Sequence, residues 1–136
     1  MAEEKVLDLA AINEDAKEAE RVAEEARQEP EEGGYTHTFK KAFLWKDRTF
    51  ESLTFDWTAL TGRDHLEIEN ELTMKGRTLV SPAFSGNFLA GMAARACTER
   101  DEKGKRVIDG RAIMEMPMGD FQTITRKARV FLLRAE

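Results

Sequence analysis

The sequence predicts an α+β fold: an N-terminal β-hairpin packed on a small bundle of about three helices, preceded by an acidic helical or disordered arm. Three observations carry that expectation. The apolar residues repeat with a period of two between residues 35 and 57 and near 3.6 beyond Trp57, the change that separates half-buried strands from amphipathic helices. Residues 1–33 hold 12 acidic and 4 basic side chains, whereas residues 34–136 hold 14 and 17, so a segment of net −8 precedes a body of net +3. Pro30 and the glycines of EEGG (31–34) separate the two, because proline ends a helix and glycine loosens the chain. The division is therefore an arm over 1–34 and a domain over 35–136.

The arm is composed of strong helix formers, and Leu9, Ile12, Ala16, Ala19, Ala23 and Ala26 form a seam spaced by three and four. Beyond Ile12 that seam is alanine and buries little area, so the expectation is an exposed, partly formed helix that the domain does not need for folding. Its charge predicts an electrostatic tether, to the basic body of a neighbouring copy or to a partner.

YTHTFKKAFLW (35–45) and TFESLTFDW (49–57) are rich in aromatic and β-branched residues, as strands are, and the short gap between them predicts a hairpin. A three-residue loop at 47–49 would pair Phe43 with Leu53 and Phe39 with Trp57, gathering the apolar set on one face, and is the expected register. His37 is expected at the surface.

The first helix is expected over 61–76, with Thr61 and Asp64 as a capping pair and Gly76 as the left-handed terminator. Leu66, Ile68, Leu72 and Met74 supply its apolar side. A second helix is expected from Ser81–Pro82 through residues 85–99, where Phe84, Phe88, Met92 and Ala96 recur every four residues and Gly91, Ala93, Ala94 and Ala96 permit close approach. Residues 101–110 form a polar connection. The last helix is expected to begin around Pro117–Asp120 and run to 133, with Phe121, Ile124, Ala128, Phe131 and Leu132 on its apolar side.

A chain that is 41% hydrophobic and 35% charged is neither fibrous nor wholly disordered. No leader-like or membrane-spanning apolar run is expected, and a lone cysteine, Cys97, suits a reducing compartment. No nucleophile elbow, phosphate-binding glycine loop or zinc-binding helix motif occurs, so neither a catalytic residue, a metal site nor a cofactor is expected. Asp64 and His65 are neighbours on a helix and do not face each other. Arg126, Lys127 and Arg129, with Lys103, Lys105, Arg106 and Arg111, are the material of a basic patch, but a body excess of +3 favours a solvated face over nucleic-acid contact. What remains is binding through apolar side chains. Eight phenylalanines, two tryptophans and six methionines are ample for a domain this small, and Phe84, Phe88, Met92, Phe121 and Phe131 are the candidate partner-binding residues.

The order of these features resembles the short tail assembly chaperones of long-tailed bacteriophages, over roughly residues 35–134. The matching pieces are the aromatic hairpin running into FDWTALTGRD (55–64), the helix start at Leu60–Gly62, the alanine-rich helix, and PMGDFQTITRKARVFLL (117–133). The acidic arm is longer than in that family, and the hairpin turn lacks its Asp-Gly. The resemblance implies a non-enzymatic role: binding the tape measure protein and tail tube subunits in the host bacterial cytoplasm before the tube polymerises, as a homo-oligomer or multi-copy coat absent from the mature virion. A tail structural protein or a small nucleic-acid-binding regulator is the alternative.

Overall fold

The computed structural model describes residues 33–77 and 81–135, so the expectations for the arm over 1–32 lie outside the described residues. The α+β expectation holds: an antiparallel hairpin, β1 (Gly34–Trp45) and β2 (Arg48–Asp56), is followed by four α-helices among the described residues, α1 (Gly62–Met74), α2 (Gly86–Ala96), α3 (Gly110–Met114) and α4 (Met118–Ala135).

The hairpin register differs from the expected one. Trp45 pairs with Arg48, Leu44 with Thr49 and Phe43 with Phe50, so the loop is the two residues Lys46 and Asp47 rather than residues 47–49. Both have positive φ, 46° and 64°, as a type I′ turn requires to match the right-handed twist of its strands. In a regular ladder that turn would split the apolar set across two faces. A bulge restores it: Thr38 pairs with Ser52 and Phe43 with Phe50, which leaves residues 39–42 of β1 against Glu51 alone. Phe39, Phe43, Phe50, Leu53 and Phe55 are all buried as a result. The expected pairs Phe43–Leu53 and Phe39–Trp57 do not form. His37 shares the parity of Phe39 and is 6% exposed, not a surface residue.

Helix α1 begins at Thr61, whose backbone N–H donates to the Asp64 carboxylate at 2.8 Å. It ends as the sequence predicts, with Gly76 at φ +73°; the Arg77 N–H reaches the Leu72 carbonyl and the Gly76 N–H the Thr73 carbonyl, the two bonds of a Schellman stop. Only Ile68 and Leu72 of its apolar residues are buried; Leu66 is 60% and Met74 89% exposed. The reason is angular. A residue two positions from Ile68 sits about 200° around the helix, so Leu66 faces away from the seam.

The expected second helix is two pieces. Pro82–Phe84 is a 3-10 turn, and α2 proper starts after Ser85, whose hydroxyl accepts from the Phe88 N–H at 3.2 Å. Helix α2 is the centre of the core, with Phe88, Leu89, Ala90, Met92, Ala93, Ala94 and Ala96 buried. A Cβ at Gly91 would come within 2.9 Å of Ile68 Cγ2, so the glycine sets how closely α1 and α2 pack. Past α2, the chain lies along β2: Cys97 bridges Phe55, and the Thr98 N–H donates to the Thr54 carbonyl at 2.9 Å. The polar connection then yields a helix that hydrophobic spacing did not announce, α3, capped by Asp109 accepting from the Ala112 N–H at 2.8 Å. Helix α4 buries Ile124, Ala128 and Val130 and half-buries Phe121, Phe131 and Leu132.

Candidate functional site

An apolar opening that gathers several of the sequence-nominated residues lies where the start of α1 meets α2 and the end of α4. Leu60, Leu66, Phe88, Met92, Phe131 and Leu132 line a groove of about 450 Å³, with Asp64 and His65 at its rim. Each element supplies a different part. Thr61 caps α1, with Leu60 just before the cap and Leu66 within the helix, and both line the groove. The four-residue spacing of Phe88 and Met92 on α2 makes the floor, and both are buried, at 1% and 4% exposure. The far end of α4 provides Phe131, stacked 6.4 Å from the Trp57 ring, and Leu132. His65 stands at the edge, its ring 4.8 Å from that of Phe88 and its Nε2 2.9 Å from Glu69. Such a groove is mostly apolar and suits an apolar side chain.

Three of the five nominated residues, Phe88, Met92 and Phe131, thus converge on one site, and two do not. Phe88 and Met92 are floor rather than exposed anchors, a correction that follows from the central place of α2. Phe84 is 52% exposed in the 3-10 turn, 5.3 Å beneath the Arg129 guanidinium, which also donates to the Ala83 carbonyl at 2.8 Å. Phe121 lies at the opposite end of α4 from the groove, near Gly86. Leu60, Leu66 and Leu132 complete the site. The signal for Leu66 was available in its angle from Ile68 and Leu72.

A second constellation is polar. His37 Nε2 lies 2.7 Å from Asp120 Oδ1, and its Nδ1 lies 2.8 Å from the Tyr35 hydroxyl. With the carboxylate accepting, Nε2 carries the proton, and in the neutral tautomer the tyrosine O–H donates to Nδ1. Burial, opposed in part by Arg126 and reinforced by Asp120, raises the Tyr35 pKa above its usual value, which holds the hydroxyl neutral. The network pins β1 to the first turn of α4. Lys127, 5.5 Å from the Tyr35 ring, closes over it.

Cys97 is 1% exposed, and burial pushes its thiol pKa up, so it packs as a small apolar residue in this fold. Among the described residues no group of three or more His, Cys, Asp or Glu side chains is placed to hold a metal ion, and no helix is long and apolar enough to cross a membrane. Of the basic residues near the end of the chain, Lys127 and Arg129 bind their own domain through ring and carbonyl contacts. Compared with known protein families, characterised proteins and solved structures, the chain matches none.

Proposed function

We propose that this chain is a non-enzymatic tail assembly chaperone of a long-tailed bacteriophage, which binds the tape measure protein, tail tube subunits or both in the host cytoplasm before the tube polymerises. The resemblance of residues 35–134 to that family motivates the reading. The observation that carries it is the apolar groove between the start of α1 and the end of α4, with Leu66 60% exposed at its edge. A tape measure protein is long, helical and striped with apolar residues, and until the tube encloses it that stripe needs cover. A groove taking one amphipathic helix face fits this need, since many copies, each of modest affinity, hold together through multivalency and yield to the polymerising tube.

The test is co-expression with a tape measure protein and a tail tube subunit of such a phage. The expected result is a soluble complex in extracts and no copies of this chain in purified tails. Leu66→Glu places a charge at the groove edge without touching the core, and should weaken the complex by about tenfold or more while leaving the melting temperature unchanged. Stoichiometric retention in mature tails would instead make the chain a structural component, and an unimpaired Leu66→Glu complex would move the interface elsewhere.

A further inference from the structure

Toward the opposite end of α1 from the apolar groove is a cleft of about 480 Å³ between the end of α1, the middle of α2 and the start of α3. Its floor is apolar, from Ile68, Leu72 and Ala94, and its walls are cationic. Lys75, Arg77, Arg106 and Arg111 line it, all four are exposed, and among the described residues none has a carboxylate within ion-pair distance. Arg77 finds only the neutral Asn87 side chain, at 2.8 Å. The two acids of the lining are already engaged. Glu71 binds Arg95 at 2.9 Å, and Asp109 caps α3. Four cations from three separate stretches of chain thus face one concavity whose two acids are bound to other groups, on a body whose whole excess is only +3.

The complementary charge is in the same chain. Residues 1–33 carry 12 acidic against 4 basic groups, and Glu24, Glu25, Glu29, Glu31 and Glu32 cluster just before the hairpin. Reach is not limiting. Thirty-two residues span roughly 100 Å extended and about 48 Å as a helix, whereas a domain of about 100 residues has a radius of gyration of roughly 13 Å. We propose that the acidic N-terminal segment docks in its own chain's cationic cleft, between α1, α2 and α3. Each exposed ion pair is weak by itself. Tethering supplies what the pairs lack, because a linked segment experiences an effective concentration near the millimolar range, far above that of a second copy at micromolar protein. The docked acids cover the positive wall at the end of α1 and leave the apolar groove at its start open.

Zero-length carbodiimide coupling of the full-length protein tests this, since it joins a carboxylate to a lysine amine only where the two are in contact, and Lys75 is the one lysine of the cleft lining. A 1:1 mixture of unlabelled and 15N-labelled chains separates links within a chain from links between chains. At low ionic strength Lys75 should be the lysine most linked to residues 1–32, ahead of the exposed Lys40, Lys41, Lys103 and Lys105, with both ends in the same chain. The yield should fall several-fold in 1 M salt, where the Debye length is about 3 Å. It should fall likewise in Arg106→Glu/Arg111→Glu, two exposed positions whose exchange leaves the melting temperature unchanged. Even linkage over all surface lysines, or no effect of the double exchange, overturns the proposal. Links joining labelled to unlabelled chains overturn it in favour of head-to-tail association. Retention of duplex DNA by the cleft, with Lys75 free of the arm, overturns it in favour of a phosphate-bearing partner.

Discussion

Arg95 ties two helices together through one side chain. Its guanidinium reaches Asp64 at 3.0 Å, Glu67 at 2.6 Å and Glu71 at 2.9 Å, three carboxylates on one side of α1, and it is itself only 12% exposed. Burial alone would raise the Asp64 pKa, but the Thr61 N–H and the Arg95 guanidinium together hold it below its usual 3.8. The folded pKa is therefore the lower one, and the stabilisation is complete above about pH 4 and lost as the pH falls through the folded value. Replacing Arg95 with methionine keeps the aliphatic packing and strands three carboxylates together. Because Glu67 and Glu71 are half in solvent, the expected loss at pH 7 is about 1–3 kcal/mol rather than that of a sealed pair. Urea unfolding at pH 7 and at pH 3 checks this: the variant should be weaker at pH 7, and the gap to the parent should narrow at pH 3. A gap of constant size would mean that Arg95 acts through packing alone.

Two glycines of the helices should respond oppositely to alanine. In α2, a Cβ at Gly91 meets Ile68 Cγ2, a branched methyl close to its own backbone, so the helix-propensity gain is outweighed and Gly91→Ala should destabilise by about 1–2 kcal/mol. In α4, Gly119 faces open space, and Gly119→Ala should stabilise by about 0.5 kcal/mol. Thermal melts of the two variants decide the matter, and a stabilising Gly91→Ala would show that α1 yields at little cost. The hairpin offers a third element-level test. Lys46 and Asp47 occupy left-handed backbone where a side chain costs about 1 kcal/mol, so Asp47→Gly should raise the unfolding midpoint by an amount worth about 0.5–1 kcal/mol. No gain, or a loss, would mean that the Asp47 side chain holds the turn in some other way.

For the molecule as a whole, the fold begins at the glycine pair. The Trp57 N–H donates to the Gly33 carbonyl at 2.7 Å, and a Cβ at Gly33 would overlap the Thr58 methyl, so this carbonyl closes the open end of the hairpin. A chain trimmed to residues 33–136 retains every core residue found buried among the described residues. In 1 M salt, where arm contacts are screened, it should melt cooperatively at nearly the temperature of the full-length protein. A broad, non-cooperative transition would make the N-terminal segment part of the fold rather than an appendage.

The sequence by itself determined the element types, because they follow from local chemistry: a period of two with β-branched and aromatic residues, Thr61 with Asp64 at one end of α1, Gly76 at the other, and a cationic last helix. It also determined that Gly91 admits a close neighbour. Tertiary structure decided the rest. Register hung on whether residues 46–47 would accept left-handed backbone and whether β1 would bulge, and both were settled by burying Phe50 together with Leu53 and Phe55. Helix α3 has too few residues for periodicity to register, and forms because Asp109 caps it while Ile108 and Ile113 are buried. His37 owes its place inside to an aspartate 83 positions away, a partnership that no local pattern encodes. The groove and the cleft share that origin. Phe88 and Met92 of α2 were legible as candidates, but the helices that pack around α2 make both core, and exposure passes instead to Leu66, which faces away from its own helix's seam. Likewise Lys75, Arg77, Arg106 and Arg111 are scattered along the chain, and only the packing of α1, α2 and α3 brings their charges around one cleft.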